Sequence, residues 1–138
     1  MAAELVVDAS VAAKCFLPEE DSEAAIALVR SGVTLIAPDF VLVELAGIAA
    51  KKVRRTDLTP EIAAIMVEAS PLLFDELAAT EPLIDRAFRL ACSCPLSVYD
   101  ALYLALAEDR GAVLVTADVK LERHAREAEV SAQVRMLG

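Results

Sequence analysis

The residues with the clearest potential for chemistry are four carboxylates spread along the chain: Asp8, Glu44, Asp100 and Asp118. Asp8 directly follows the short apolar run 5–7, and Asp118 follows a second apolar run at 112–115. Short β-branched runs of this kind predict buried strands. If the two strands are parallel neighbours, their carboxyl ends lie at one edge of a sheet, where open α/β proteins bind ligands. We therefore expect Asp8 and Asp118 to face a common site.

Three of these acids also have ordinary structural explanations. Asp8 and Asp118 are suited to cap the helices that follow them, and Asp100 is the third helical residue of a capping-box pattern that begins at Ser97. Glu44 has the poorest such explanation, because apolar residues surround it on all faces of its predicted helix. A buried carboxylate without a partner is expensive, so Glu44 favours a functional interpretation of the set.

Convergence of the four acids would require a compensating positive charge. Carboxylate oxygens ~5 Å apart repel by ~3 kcal/mol per pair at an effective dielectric of ~20, and several such pairs rival the ~5–15 kcal/mol stability of a whole domain. The cluster must be partly protonated or hold a cation, and the only adjacent basic residue is Lys120, near Asp118. Oxygen ligands without cysteine or histidine favour Mg²⁺ or Mn²⁺ over zinc or copper. Because magnesium sites are completed by water and substrate phosphate, the set predicts phosphoryl chemistry.

The elements that would position these acids alternate along the chain. Apolar runs predict strands at about 5–7, 33–37, 72–75 and 112–115, with an edge strand at 133–136. Helical periodicity and capping signals predict helices at about 10–17, 19–30, 40–53, 59–71, 80–92, 97–109 and 120–128. Gly32 and Gly111 are placed to end two of these helices. The alternation predicts an α/β fold with a mostly parallel central sheet that is covered on both faces.

Length and composition limit the class of protein. The chain has 138 residues, enough for one domain over 1–138, and its apolar fraction of 57% argues against disorder. No apolar run approaches the length of a membrane span, and the first residues lack the basic region of a signal peptide. Three cysteines, an odd number, fit a reducing compartment. We therefore expect a cytoplasmic protein without membrane association.

The charge balance argues against broad electrostatic capture of nucleic acid, because the net charge is −9. The densest positive cluster is formed by residues at the end of the third predicted helix: Lys51, Lys52, Arg54 and Arg55. Basic residues in a last turn complement the helix dipole, and the same cluster is a candidate for contact with a phosphate backbone. The pair Cys92 and Cys94, beside a single histidine, lacks the ligand count of a zinc site.

Four segments resemble the motifs of one enzyme family. They are VVDASV from Val6, VEL around Glu44, YDALYLA from Tyr99 and LVTAD ending at Asp118. In this order they resemble the motifs of PIN-domain ribonucleases and, more closely, those of the VapC toxins of bacterial and archaeal toxin–antitoxin pairs. The resemblance implies a PIN-like three-layer α/β/α sandwich, a Mg²⁺-dependent endoribonuclease in which Mn²⁺ is also possible, a homodimer and a VapB-type antitoxin. Cys15 departs from the pattern, since many relatives carry tryptophan there, and this puts only local packing in doubt.

The resemblance also implies roles for individual residues. Asp8 and Asp100 would be direct metal ligands, and Glu44 and Asp118 would complete the site directly or through water. The hydroxyls of Ser10 and Thr116 would fix the carboxylates or the attacking water, although a helix cap and a strand-end hydroxyl explain them equally well. The metal would lower the pKa of a bound water and stabilise charge on the scissile phosphate. No histidine is needed, and His124, within a basic helical run, is expected to be a surface residue.

Two other classes of function remain open at the level of sequence. A metal-dependent phosphoesterase acting on small substrates would use the same acids. Asp8-Ala9-Ser10 lacks the second aspartate, two residues on, that an aspartyl-phosphate phosphatase would need. A catalytically silent PIN-like binding module or phospho-receiver would also carry acids at strand ends, but a receiver needs a phosphoacceptor aspartate ending a middle strand, which cannot be placed here.

Overall fold

A parallel sheet forms the centre of the computed structural model, which describes residues 3–128, 130 and 132–138. Its five strands are β1 (Glu4–Val7), β2 (Thr34–Pro38), β3 (Glu76–Ala78), β4 (Val113–Thr116) and β5 (Gln133–Met136). Their order is β3-β2-β1-β4-β5, and all four pairings are parallel. The predicted α/β fold with a parallel central sheet is therefore confirmed, and β5 is the edge strand that the sequence predicts.

Seven α-helices connect and cover the strands in the described part of the chain. They are α1 (Ala9–Lys14), α2 (Ser22–Arg30), α3 (Val41–Arg54), α4 (Pro60–Ala69), α5 (Ile84–Ser93), α6 (Val98–Arg110) and α7 (Val119–Glu127). Short 3₁₀ turns at Ser70–Leu73 and Glu81–Leu83 follow α4 and precede α5. Gly111 ends α6 with φ +60° and Gly32 follows α2 with φ +83°, a left-handed conformation that glycine adopts without a Cβ penalty. No single helix among the described residues is long and apolar enough to cross a membrane.

The sheet is buried on both faces. Consecutive residues of β1 and β2 are buried, so side chains that point to opposite faces are equally shielded from water. Helix α6 packs against β1, β2 and β4, and its residues 101–107 are all buried. A helix that is apolar on every side belongs in a core, and α6 is the helix that carries Asp100 in its first turn.

The order of the strands reverses between β1 and β4. From β1 the chain proceeds to β2 and β3 on one side, and from β4 it proceeds to β5 on the other. Because parallel crossovers are right-handed, the chain segments that follow β1 and β4 leave on opposite faces of the sheet. A crevice opens at such a reversal, beyond the carboxyl ends of the two strands. Asp8 lies at this point, and its backbone N–H donates to the Val115 carbonyl of β4 at 3.5 Å.

Two element predictions are wrong in detail. The predicted strand at 72–75 is largely a 3₁₀ turn with Leu72 86% exposed, and β3 begins only at Glu76. The Asp75 carboxylate accepts the Leu35 N–H at 2.8 Å, so a side chain occupies the place of a ladder carbonyl just before the strand. Helix α1 ends at Lys14 rather than near 17, and the N–H groups of Phe16 and Leu17 both donate to the Ala13 carbonyl in a turn that precedes Pro18.

Thr80, predicted to cap the helix at 80–92, has a different role. It makes no capping hydrogen bond to the 3₁₀ turn that follows it. Its hydroxyl donates to Asp39 Oδ1 at 2.5 Å and accepts the Phe40 N–H at 3.0 Å. Thr80 therefore ties the loop after β3 to the beginning of α3, 40 residues earlier in the chain.

Candidate active site

All four predicted acids lie at the N-terminal end of a helix. Asp8 is the N-cap of α1 and Asp118 is the N-cap of α7, while Glu44 and Asp100 lie in the first turns of α3 and α6. Because β1, β2 and β4 are parallel, the segments that leave their carboxyl ends start from the same edge of the sheet. The positive end of each helix dipole partly offsets the negative charge gathered there.

Asp8 is the most buried of the four acids, with 5% of its surface exposed. Its Oδ1 accepts the Ser10 hydroxyl at 2.6 Å and the Val11 N–H at 3.1 Å, and its Oδ2 accepts the Thr116 hydroxyl. Both oxygens are thus held by donors from α1 and β4, which fixes the orientation of the carboxylate. Each carboxylate oxygen has more than one lone pair, so these bonds leave acceptor capacity for a ligand.

The two predicted hydroxyls also connect Asp8 to the segment after β4. Ser10 Oγ accepts the Ala117 N–H at 3.0 Å, and Thr116 Oγ1 accepts the Asp118 N–H at 3.0 Å. Asp118 in turn caps α7 by accepting the Lys120 N–H at 2.9 Å. The ends of β1 and β4 are therefore joined by one hydrogen-bonded network that contains Asp8, Ser10, Thr116 and Asp118.

Glu44 has a partner that sequence reasoning missed. The Tyr103 hydroxyl of α6 donates to Glu44 Oε1 at 2.5 Å, while Tyr103 itself is 1% exposed. Tyr103 lies in the YDALYLA motif, but its position in an apolar helix predicts only a core residue. A general rule could have predicted this pair. A buried tyrosine hydroxyl needs a hydrogen-bond partner, and Glu44 is the acid for which the sequence offers no local capping role.

Burial is the main electrostatic influence on three of the acids. It raises the pKa of Asp8, against the hydrogen bonds from Ser10, Thr116 and the Val11 N–H, and the charge of Asp118 raises it further. Burial likewise raises the pKa of Glu44, against the hydrogen bond from Tyr103 and with the charges of Asp100 and Asp8 adding to the rise.

Asp100 completes the set of interacting charges. Burial raises its pKa first, and the charges of Asp118 and Asp8 raise it further, against a hydrogen bond from Ser97. No lysine, arginine or histidine in the described part of the chain is among the groups that shift the pKa of Asp8, Glu44 or Asp100. Among the described residues, basic side chains therefore do not offset the negative charge at this edge, and the helix N-termini offset it only in part.

The chemistry of this set fits a hard divalent cation. Within residues 3–128, 130 and 132–138, no three His, Cys, Asp or Glu side chains stand close enough to share one ion directly. Mg²⁺ does not require such a cage, since it keeps several waters and is bound through one or two carboxylates together with substrate phosphate. The interacting charges, the raised pKa values and the all-oxygen donors are the properties that a divalent ion would satisfy.

The opposite edge of the sheet has the reverse arrangement. Arg110, at the end of α6, lies between Glu4 Oε2 at 2.6 Å and Glu76 Oε2 at 2.7 Å. The guanidinium holds the pKa of Glu76 below its usual range. These acids are compensated by a basic side chain, whereas the acids at the carboxyl edge are not.

Other residues considered from the sequence lie away from the four acids at the carboxyl edge. Lys51, Lys52 and Arg54 occupy the last turn of α3. Lys51 is seven residues beyond Glu44, ~10 Å along the helix axis. His124 lies in the last turn of α7. Cys15 follows α1, and burial raises the pKa of its thiol to about 11.

The fold and the site together define an α/β protein with interacting carboxylates beside the switch point of a parallel sheet. A family model described as the PIN domain matches residues 5–127. A relative, "Ribonuclease VapC3" of Pyrobaculum aerophilum, is 40% identical over 121 residues, which cover 86% of this chain and 92% of the relative. The chain belongs to the PIN-domain family of nucleases, and the resemblance recognised in its motifs is confirmed.

Solved structures agree with this fold. PAE2754 from Pyrobaculum aerophilum superposes with a TM-score of 0.69 at 27% identity, covering 90% of this chain and 87% of that one. VapBC2 from Rickettsia felis, bound to a DNA fragment from its promoter, superposes with a TM-score of 0.71 at 13% identity, covering 98% and 99%. At that identity the second match supports the fold alone.

Proposed function

We propose that this chain is a Mg²⁺-dependent endoribonuclease that acts as the toxin of a VapBC-type toxin–antitoxin pair. The observation that carries the proposal is the buried, doubly anchored Asp8 at the switch point, with three further carboxylates whose charges interact. No basic side chain of the described residues is among the groups that shift their pKa values. The relative named as a VapC ribonuclease supports RNA as the substrate. Mn²⁺ is an alternative ion for the same oxygen donors.

Each site residue has a distinct role in this proposal. Asp8 and Asp100 hold the ion, and Glu44 and Asp118 complete the site directly or through water. When bound, a divalent ion supplies a more acidic water and compensates charge on the scissile phosphate. The chain supplies the orientation of the carboxylates.

The orienting contacts lie around two of the acids. Ser10 and Thr116 fix the two oxygens of Asp8, and Tyr103 fixes one oxygen of Glu44. Because burial raises the pKa values of Asp8, Glu44 and Asp100, an ion bound there would favour their charged forms against burial.

The experiment that tests this function compares Asp8→Asn and Asp100→Asn with Asp109→Asn, a control on the exposed part of α6. Cleavage of labelled RNA in Mg²⁺ should fall by more than ~100-fold in the first two variants, the scale on which loss of one preorganised charged or polar group lowers kcat. Asp109→Asn should cleave like the unmodified chain, and excess chelator should abolish cleavage.

Other outcomes would identify the alternatives. Full RNA cleavage in excess chelator, or in Asp8→Asn, would contradict the metal-dependent mechanism. Turnover of small phosphoesters without RNA cleavage would instead identify a phosphoesterase. A fold that binds neither Mg²⁺ nor Mn²⁺ and cleaves no substrate would identify a catalytically silent PIN-like module.

The proposed partners are a VapB-type antitoxin and a second copy of the chain. The VapC-type motifs of the chain and the relative named Ribonuclease VapC3 support the antitoxin. Exposed apolar side chains on α4 and the turn after it, including Ile65 and Leu72, support a homodimer. A small neighbouring gene for a DNA-binding protein, whose co-expression suppresses toxicity of this chain, would establish the pairing.

A further inference from the structure

Helices α3 and α6 meet in two successive layers beside the acids. In the inner layer, Tyr103 donates to Glu44. In the outer layer, the rings of Phe40 and Tyr99 stack with centroids 5.3 Å apart and an interplanar angle of 9°. On each helix the residue of the outer layer comes four positions before the residue of the inner layer, so the two helices run side by side in the same direction here. The aromatic pair therefore lies one helical turn, ~5.4 Å, further towards the helix N-termini than the Glu44–Tyr103 pair.

The backbone fixes this pair relative to the candidate active site. The Glu44 N–H donates to the Phe40 carbonyl at 3.2 Å, so Phe40 continues the first turn of α3. The Phe40 N–H is in turn held by Thr80 Oγ1 at 3.0 Å. On the other helix, Tyr99 directly precedes Asp100 in the first turn of α6. Each ring is thus attached to the same helical turn as one of the acids.

Tyr99 remains open to solvent although it stacks on Phe40. It is 58% exposed, whereas Phe40 is only half-buried beneath it. One face of the tyrosine ring is covered by Phe40, and the exposed fraction leaves the remainder of the ring available to a ligand. The arrangement is a supported aromatic surface beside a site for phosphate chemistry.

We propose that Tyr99, supported by Phe40, is a subsite that stacks with a nucleobase of single-stranded RNA next to the scissile phosphate. This inference rests on the proposed function. Single-stranded RNA is recognised largely by stacking of unpaired bases on aromatic side chains, and every base offers a face for this contact. A chain with net charge −9 gains little from general attraction to phosphates. A contact with the neutral base therefore supplies affinity that the backbone of the RNA cannot.

The test uses Tyr99→Leu, the conservative variant Tyr99→Phe, and Phe88→Leu as a matched control. Phe88 is 57% exposed on α5 and lies outside the α3–α6 pair. Tyr99→Leu should raise KM for single-stranded RNA by about 10- to 100-fold, the scale of stacking on one aromatic side chain, with a smaller change in kcat. Tyr99→Phe should restore KM, since the ring is retained, and Phe88→Leu should leave it unchanged.

A binding measurement makes the test independent of cleavage. Short single-stranded oligoribonucleotides carry one 2-aminopurine, moved one position at a time, and stacking on Tyr99 should quench its fluorescence at one position. The quenching should be lost in Tyr99→Leu and kept in Tyr99→Phe, and circular dichroism of each variant checks that the fold is intact. Unchanged KM and unchanged quenching in a folded Tyr99→Leu variant would overturn the subsite.

Failure of the subsite and failure of the proposed function give different results. If the unmodified chain cleaves RNA and Tyr99→Leu cleaves it with the same KM, only the subsite is overturned. If the unmodified chain neither cleaves RNA nor quenches any probe, both are overturned. If Tyr99→Leu leaves the RNA measurements unchanged but weakens antitoxin binding, the ring pair is a protein contact and the base subsite is overturned.

Discussion

Asp8 is subject to opposing influences on a single carboxylate. Burial favours its neutral form, while the Ser10 and Thr116 hydroxyls and the Val11 N–H favour its charged form. The first influence is the larger, so the pKa of Asp8 is raised. A divalent ion beside it would shift the balance to the charged form. This coupling between charge and burial would therefore make metal binding at Asp8 depend on pH.

This coupling predicts how stability depends on pH in the metal-free protein. The raised pKa values of Asp8, Glu44 and Asp100 mean that, above the ordinary values of ~3.9 for Asp and ~4.3 for Glu, the folded state binds more protons than the unfolded chain. Stability then falls as the pH rises through the raised values and returns on acidification. We expect the Tm in chelator to increase as the pH is lowered from neutral towards about 5.

Variants and metal addition distinguish this origin from a general effect of charge. Asp8→Asn should have a higher Tm at neutral pH and a shallower dependence on pH, whereas Asp109→Asn should keep the full slope. Mg²⁺ or Mn²⁺ should raise the Tm of the unmodified chain at neutral pH, because the ion binds only the folded state. Thermal unfolding followed by circular dichroism measures all of these. A Tm that falls on acidification equally in the unmodified chain and Asp8→Asn would contradict the prediction.

At the scale of the element, helix caps position the acids as well as stabilise the fold. Ser97 caps α6 by accepting the Asp100 N–H at 3.1 Å, and Thr59 caps α4 by accepting the Ile62 N–H at 3.3 Å. Removing either cap should cost about 1 kcal/mol of unfolding free energy. Of these two caps, only that of α6 holds a residue of the candidate active site, Asp100.

Ser97→Ala and Thr59→Ala should therefore differ in activity although they lose similar stability. Urea unfolding should show comparable losses in the two variants. At a temperature where both remain folded, Ser97→Ala should lower kcat/KM because the first turn of α6 loosens around Asp100, while Thr59→Ala should not. An equal effect of the two variants on kcat/KM would show that the α6 cap contributes stability alone.

The elements also show where sequence reasoning succeeds and where it stops. Strand ends can be predicted from the sequence, because β-branched runs end at Asp8 and before Asp118. In the structure these runs form the adjacent strands β1 and β4. Pairings between distant helices are not readable, since Tyr103 and Glu44 are 59 residues apart and periodicity predicts Tyr103 only as core. The apolar run at 72–75 predicts a strand. Leucine suits several environments, however, and only the tertiary structure shows that Leu72 is exposed.

At the scale of the whole molecule, the two edges of the sheet differ in how their acidic side chains are compensated. Uncompensated acids lie at the carboxyl edge of the sheet, and Arg110 neutralises the acids at the amino edge. The basic cluster at the end of α3 borders a groove of about 540 Å³ between α3 and α4, lined by Arg54, Glu68 and small apolar residues. The α3–α4 face thus combines opposite charges with an apolar centre.

A different face of α4, outside that groove, is suited to contact a second copy of the chain. Ile62 and Ile65 on α4 are 53% and 66% exposed, and Leu72 in the turn after α4 is 86% exposed. In a two-fold arrangement the same surface is used by both subunits, so these exposed apolar side chains of one copy can pack against those of the other. Burial of these side chains is favourable in proportion to the apolar area removed from water.

We therefore expect the purified chain to be at least a dimer, and Ile65→Lys to convert it to a monomer, because a desolvated lysine opposes association. Val119→Lys is the matched control, since Val119 is 64% exposed on α7, away from this face. Light scattering over a range of protein concentrations measures both. A monomer at every concentration would remove the homodimer, and a dimer that persists in Ile65→Lys but dissociates in Val119→Lys would move the interface to α7.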